Sequence, residues 1–129
     1  MKGLLVRVAI DSTAGNWNGP IDPDSGHFVY VAIPEDKRSF RKGYNRSYDI
    51  VVPSLSRMEV DLPLHLRNNF MHLDPDFKNL TYGDCHPRSL PIKELKRGDF
   101  LVFYAGLRSI KKPRILRYAI IGFYLINEV

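Results

Sequence analysis

The segment that decides the fold reads Leu95-Lys96-Arg97-Gly98-Asp99-Phe100-Leu101-Val102-Phe103-Tyr104-Ala105-Gly106. A charged turn leads directly into an apolar run that is rich in aromatic residues. Gly98 can adopt the positive φ that a tight turn requires, and Asp99 can bond its own backbone two residues on. The apolar run at 100–106 is typical of a strand that is buried on both faces. This segment therefore predicts a strand of a small barrel or sandwich.

Further apolar runs occur elsewhere in the chain and complete the predicted fold. Runs at 4–10, 27–33 and 115–126 predict strands, and 53–60 and 91–95 predict short helices. A basic loop joins the last two strands as a hairpin. At least four strands with one or two short helices predict an α+β fold, either a small curled mixed sheet or an open β-barrel.

Length and composition set the class of protein. A chain of 129 residues, 44% hydrophobic, predicts a single domain over 1–129 with a sizeable core. The sequence contains neither a run of the ~20 apolar residues that a membrane span needs nor a signal-peptide core. The single Cys85 excludes an internal disulfide and favours a reducing, cytoplasmic location. Because the chain ends directly after its most apolar strand, it either closes a sheet there or is the N-terminal part of a longer protein.

Positive charge is concentrated in two segments. The chain carries a net charge of +5, and most of its cations lie in 37–46 and 88–117, whereas the remaining stretches are net acidic. Such segments indicate a surface that faces a polyanion, although a pattern that merely aids solubility is the alternative. The residues predicted to bind phosphate are Arg38, Arg41, Lys42, Lys111, Lys112 and Arg114.

A polar loop after the first strand is the best candidate for one wall of a pocket. In residues 11–20, hydroxyls, amides and a carboxylate surround the single tryptophan of the chain. Such side chains can read a base edge while the indole stacks on the base or on a sugar. In the alternative interpretation, Asx turns form at the carboxylate and amide while the indole closes the end of the core. The predicted ligand-binding residues are Asp11, Ser12, Asn16, Trp17 and Asn18.

The predicted second wall consists of His72, Asp74, Tyr82 and Asp84. His72 and the two aspartates 74 and 76 alternate, but Pro75 interrupts the strand that a metal site would require, and Asp-Pro-Asp is a common turn. Adjacent Cys85 and His86 are not a catalytic dyad, because neighbouring side chains point apart. No phosphate-binding loop, dinucleotide fingerprint or zinc pattern is present, so neither a metal nor a cofactor is predicted.

Several sequence blocks spread over most of the chain carry a family resemblance. They are Met1-Lys2-Gly3-Leu4-Leu5-Val6-Arg7-Val8, Ile10-Asp11-Ser12-Thr13, Gly15-Asn16-Trp17-Asn18, Met71-His72-Leu73-Asp74-Pro75-Asp76-Phe77, Leu80-Thr81-Tyr82-Gly83-Asp84 and residues 97–107. In these blocks the chain resembles the nucleotide-modification-associated domain 3 family. The resemblance implies an α+β domain found near systems that modify nucleotides in nucleic acid. It also implies members longer than this chain.

A looser resemblance links the chain to PUA-like barrels, the ASCH and EVE groups. It rests on the Gly98-Asp99 turn and on Phe103-Tyr104, about one tenth of the chain. The resemblance implies a barrel that holds a base, often a modified one, in an aromatic-lined pocket.

These observations lead to three hypotheses about function. The leading one is a nucleic-acid-directed domain that recognises a nucleotide, in particular a modified one, between the two walls. The second is an enzyme of nucleotide or base modification, a transferase or hydrolase, with Asp11, His72, Asp74 and Asp84 as candidate catalytic residues. The third is a protein-interaction module of a modification or defence system. The predicted partner is a nucleic acid or nucleotide and not a membrane, and the oligomeric state is left open.

Overall fold

A computed structural model describes residues 1–35, 46–83 and 87–129. The chain divides into two compact units, which are described separately. Unit 1 comprises 1–8, 74–105 and 120–129, and unit 2 comprises 9–73 and 106–119. The strands are β1 (Gly3–Arg7), β2 (Pro20–Ile21), β3 (Ile33–Pro34), β4 (Arg46–Ser47), β5 (Phe70–His72), β6 (Phe100–Ser109) and β7 (Leu116–Leu125). The α-helices are α1 (Val52–Arg57) and α2 (Leu90–Lys93), with 3-10 helices at Tyr48–Val51 and Leu64–Leu66.

In unit 1, the turn at 96–99 holds the start of β1 beside the start of β6. Gly98 has a φ of 91°, as predicted for the turn. Asp99 accepts hydrogen bonds from the backbone N–H of Lys2 at Oδ1 and of Lys96 at Oδ2, both at 2.8 Å. The prediction that Asp99 bonds the backbone two residues on was therefore wrong. The carboxylate oxygens of Asp99 instead hold the backbone where β1 pairs in parallel with β6, with Gly3 opposite Phe100.

Aromatic rings form the interior of unit 1. The side chain of Phe103 is fully buried. Its ring centroid lies 4.9 to 5.6 Å from the ring centroids of Phe77, Tyr82 and Tyr124, and all three contacts are edge-on. A Cβ on Gly122 would lie 3.0 Å from the ring of Phe77, so glycine makes room for that ring. The Tyr124 hydroxyl donates to the Asp76 carbonyl at 2.8 Å.

In unit 2, a small antiparallel sheet has the strand order β3-β5-β4. Ile33 lies opposite His72, and Arg46 lies opposite Met71. Helix α1 begins with proline in its first turn, where the missing N–H costs no hydrogen bond. In this unit, β2 pairs in parallel with the end of β6, Pro20 opposite Arg108.

The core of unit 2 is largely aliphatic and lies beneath this sheet and α1. Its fully buried members include Ile10, Leu55, Leu66 and Met71. Tyr48 is also fully buried, and its hydroxyl donates to the Ala32 carbonyl at 2.8 Å, so the one polar atom of the side chain is satisfied.

The α+β class predicted from the sequence is confirmed. In the described residues, parallel and antiparallel pairing both occur, and the sheets are open and do not close into a barrel. The predicted strand at 27–33 was wrong for most of its length, because only Ile33–Pro34 is a strand. Val29 and Val31 are buried as in a strand, but their backbone bonds go to separate segments. The Val29 N–H donates to the Pro20 carbonyl, and the Ile10 N–H donates to the Val31 carbonyl. The single-domain prediction stays a prediction.

Candidate functional site

A carboxylate and an imidazole face each other at the edge of the small sheet in unit 2. Glu35 Oε2 lies 2.7 Å from His72 Nδ1. Because an ionised carboxylate only accepts, the imidazole donates from Nδ1. The Glu35 side chain is only 10% exposed, whereas that of His72 is 44% exposed. A shielded carboxylate thus fixes the orientation of an imidazole that solvent can reach, which is an arrangement suited to proton transfer.

The strand register explains why these two side chains meet. Ile33 lies opposite His72, and Glu35 follows two residues later, with its N–H bonded to the Phe70 carbonyl at 2.9 Å. Opposite residues of an antiparallel pair share a face, and side chains alternate along each strand. Glu35, His72 and Phe70 therefore share one face, and Phe70 is 41% exposed there.

Glu35 was missed by the reasoning from sequence. It opens a polar stretch after Pro34, where an acidic residue is typical of a solvated loop, and its partner lies 37 positions away along the chain. Only the pairing of β3 with β5 brings them together, and two-residue strands carry no readable period. A predicted pairing of the segments around 33 and 72 was the one signal that could have found it.

The carboxylate of the polar loop in unit 2 has a structural use. Asp11 Oδ1 accepts from the backbone N–H groups of Thr13 and Ala14, both at 2.8 Å, which is an Asx turn. The Asp11 carbonyl also accepts from the Trp17 N–H at 3.2 Å. The side chain of Asp11 therefore forms the Asx turn of the alternative interpretation.

The remaining loop residues divide into anchored and exposed side chains. Trp17 packs against the aliphatic core, and Asn18 Nδ2 donates to the Gly106 carbonyl at 2.9 Å. Ser12 and Asn16 are exposed, and Asn16 adopts a φ of 53°. The ligand-binding roles of these residues stay predictions, and Ser12 and Asn16 are the ones whose side chains face solvent.

A histidine fixes the tip of the same loop. His65 Nε2 donates to the Gly15 carbonyl at 2.7 Å. Gly15 has a φ of 102°, and a Cβ there would lie 2.4 Å from Ile10 Cγ1, so no other residue fits without movement. The loop conformation is therefore strongly determined.

The residues predicted for the second wall are divided between the two units. His72 belongs to unit 2, together with the polar loop, whereas Asp74 and Tyr82 belong to unit 1. Asp74 Oδ1 accepts from the Gly83 N–H at 2.8 Å, and the Tyr82 ring lies edge-on to Phe103. Asp84 lies outside the described residues. The predicted roles of these residues remain predictions.

Among the predicted phosphate-binding residues, Lys111 already has carboxylate partners. Its Nζ donates to Asp24 Oδ2 and lies 3.8 Å from Asp22 Oδ1. Lys112 and Arg114 are exposed. Arg38, Arg41 and Lys42 lie outside the described residues.

A shallow groove of about 330 Å³ lies between α1 and the segment that follows it in unit 2. Its lining combines aliphatic residues with two carboxylates and a guanidinium, and it contains none of the predicted site residues. The lining residues are Asp49, Val52, Ser56, Val60, Asp61, Leu62 and Arg67.

Metal-ligand clusters and membrane-spanning helices are both absent from the described residues. Within 1–35, 46–83 and 87–129, no group of three or more His, Cys, Asp or Glu side chains is placed to hold a metal ion. In the same parts of the chain, no helix combines the length and apolar composition that crossing a bilayer requires.

Comparison with known proteins matches the chain to a protein family. No curated protein and no solved structure matches the chain. The family described as nucleotide modification associated domain 3 matches over residues 2–129. The resemblance to that family is therefore confirmed, whereas the PUA-like resemblance is not. Because the match extends over essentially the whole sequence, this chain belongs to the nucleotide modification associated domain 3 family.

Proposed function

We propose that the chain binds a nucleotide of a nucleic acid at the sheet face that carries Glu35, His72 and Phe70. The observation that supports this is the 2.7 Å contact between a shielded carboxylate and a half-exposed imidazole. Membership of a family associated with nucleotide modification supports the choice of ligand.

Each of the three side chains has a defined task in this proposal. Glu35 fixes the ring orientation and tautomer of His72 through Nδ1. His72 hydrogen-bonds the edge of the base, and the Phe70 ring supplies a surface on which a base stacks. Among the exposed loop residues, Ser12 and Asn16 are proposed as further contacts.

Cations for the phosphates are available from the sequence that joins β3 to β4. This connection begins directly after Glu35 and ends at the exposed Arg46. It contains Arg38, Arg41 and Lys42, which lie outside the described residues and which we propose as phosphate contacts on the basis of the sequence.

Titration of short labelled DNA and RNA oligonucleotides, unmodified and base-modified, tests the proposal. We expect His72→Ala to weaken binding about tenfold, the effect of losing one hydrogen bond at a desolvated site. His27→Ala is the matched control, because His27 is an exposed histidine of the same unit. Equal affinities for wild type, His72→Ala and His27→Ala would contradict the proposal.

A second candidate function, catalysis, is favoured by the same pair. A carboxylate that holds an imidazole in one orientation also positions the other ring nitrogen for proton transfer, as a general acid–base catalyst requires. The reaction would be a transfer to, or hydrolysis of, a base or nucleotide, with His72 moving the proton and Glu35 positioning it.

The two functions differ in what the variants change. If the pair is catalytic, Glu35→Gln and His72→Ala lower turnover by about 100-fold or more and change affinity only a few-fold. The measurement is the mass of nucleosides released from nucleic acid after incubation with the protein. Turnover that both substitutions leave unchanged would remove the catalytic candidate and leave recognition.

A further inference from the structure

The end of the β6–β7 hairpin in unit 2 is tied to the turn at 22–26. Lys111 Nζ donates to Asp24 and lies 3.8 Å from Asp22. These contacts, first the hydrogen bond to Asp24, raise the pKa of Lys111 above its ordinary value. The charge of Lys111 is therefore compensated within the protein.

Backbone and hydroxyl bonds also fix the conformation of this hairpin end. The Ser109 N–H donates to the Ile115 carbonyl, and the Ile110 N–H donates to the Ile21 carbonyl, both at 3.0 Å. Ser109 Oγ accepts from the Lys111 N–H and donates to the Lys111 carbonyl. A hairpin end held by these bonds keeps the spacing of its exposed side chains.

Three other cations at this hairpin end are exposed, namely Arg108, Lys112 and Arg114. Arg108 Nη1 donates to the Arg114 carbonyl at 3.3 Å, which brings two of them together. Within the part of the chain that the structure describes, none of the three has an ion-pair partner. They form the cationic edge of the hairpin.

We propose that this cationic edge, Arg108, Lys112 and Arg114, contacts the phosphate backbone of the nucleic acid, and that Lys111 is a positioning residue. This inference rests on the proposed function and adds a second contact to it. It also changes the assignment of residues, because Arg108 joins the phosphate contacts and Lys111 leaves them.

Nucleic acid fits this edge better than an acidic protein. Phosphate contacts need only cations at suitable spacing, because released counterions supply the binding free energy. A protein interface needs an apolar centre with aromatic anchors. Between residues 108 and 115, the exposed large apolar residue is Ile115 alone.

The salt dependence of oligonucleotide binding measures these contacts. The logarithm of the affinity falls with the logarithm of the salt concentration, and each phosphate contact removed lowers the slope by about one. We therefore expect Arg108→Gln with Arg114→Gln to lower the slope by about two. Arg57→Gln with Lys93→Gln is the charge-matched control, because both residues are exposed and lie outside the hairpin.

Lys111→Met separates positioning from direct contact. We expect it to lower the slope less than either Arg108→Gln or Arg114→Gln does. An equal or larger loss of slope would show that Lys111 itself contacts phosphate, and would overturn its assignment as a positioning residue. Lys112→Gln provides a single, milder substitution should the double variant not fold.

The outcomes distinguish this inference from the proposed function. If the hairpin variants and the control variants have equal slopes, the cationic edge is not a nucleic-acid contact. If the hairpin variants lower the slope, and His72→Ala weakens binding without changing the slope, the two contacts are independent and both stand. Hairpin-dependent binding of polyglutamate, with none of the oligonucleotide, would instead assign the edge to an acidic protein and overturn the inference.

Discussion

The turn at 96–99 and the end of β3 each contain a shielded carboxylate, but the partners differ. Asp99 is 7% exposed, and its oxygens accept from the backbone N–H groups of Lys2 and Lys96. Glu35 faces the imidazole of His72. A carboxylate bonded to backbone holds a turn together, whereas one bonded to an imidazole orients that ring. The first region is thus expected to determine stability, and the second is expected to determine activity.

The largest expected loss of stability is at Phe103, which lies on β6 directly after the turn. Phe103→Ala removes a fully buried ring and its contacts with Phe77, Tyr82 and Tyr124. We expect the free energy of unfolding to fall by about 3–5 kcal/mol, measured by urea denaturation. Phe123→Ala is the control, because Phe123 is 62% exposed. Equal losses for the two variants would contradict the aromatic interior of unit 1.

A smaller loss is expected at Asp99 itself. In Asp99→Asn, the side-chain amide retains one acceptor but points an NH₂ group at the second backbone N–H. We expect a lower midpoint of thermal unfolding, with unchanged oligonucleotide affinity in the folded variant. Asp61→Asn is a matched control at an exposed aspartate. If Asp99→Asn were as stable as that control, the turn would not depend on the carboxylate.

The stability contributed by Asp99 is also expected to depend on pH. The N–H groups of Lys2 and then Lys96 hold the pKa of Asp99 below its ordinary value of 3.8. The contribution is therefore fully present above pH 3.8 and is lost as the pH falls through the lower folded-state pKa. The stability difference between wild type and Asp99→Asn should shrink below that pH in a series of urea titrations. A difference that stays constant into strong acid would argue against the assigned role.

The smallest effect on stability is expected at Glu35. In Glu35→Gln, the side-chain carbonyl can still accept from His72 Nδ1, so the free energy of unfolding should stay within about 1 kcal/mol of wild type. The loss of charge should nonetheless lower turnover or binding at this face. Denaturation and activity measured on the same preparation check this. If Glu35→Gln greatly lowered the free energy of unfolding, the end of β3 would contribute to stability as the turn at 96–99 does, and the contrast between these regions would be lost.

Much of the fold was predictable because its signals are local. The turn, the long apolar runs of β6 and β7, and the proline that begins α1 are each readable within a few residues. The segment 27–33 was misread because its apolar residues produce the same pattern as a strand, although burial of Val29, Val31 and Ala32 does not require a ladder of hydrogen bonds. The run of apolar residues does not reveal that its backbone bonds go singly to separate segments, at Pro20 and Ile10.

The candidate site was only partly predictable, for the same reason. His72 was named from the sequence, but its partner Glu35 was not, because their contact depends on a long-range pairing. Lys111 was predicted to bind phosphate because it lies in a basic hairpin loop, and its partner Asp24, 87 positions away, could not be foreseen. At Asp11, by contrast, the bonded N–H groups lie two and three residues on, so the Asx turn could be foreseen as an alternative.

Each unit contains a tyrosine, fully buried in unit 2 and partly buried in unit 1, whose ionisation in alkali reports on that unit. Burial raises the pKa of Tyr48 in unit 2 above its ordinary value, and burial together with Asp76 and Asp74 raises that of Tyr124 in unit 1 to about 12. The stability that depends on these neutral phenols is fully present below pH 10.0 and is lost as the pH rises through the folded-state values. Ultraviolet titration of wild type beside Tyr48→Phe and Tyr124→Phe assigns the late phenolate steps, because each variant lacks one of them. The tyrosine whose phenolate step comes at the lower pH identifies the unit that unfolds first in alkali.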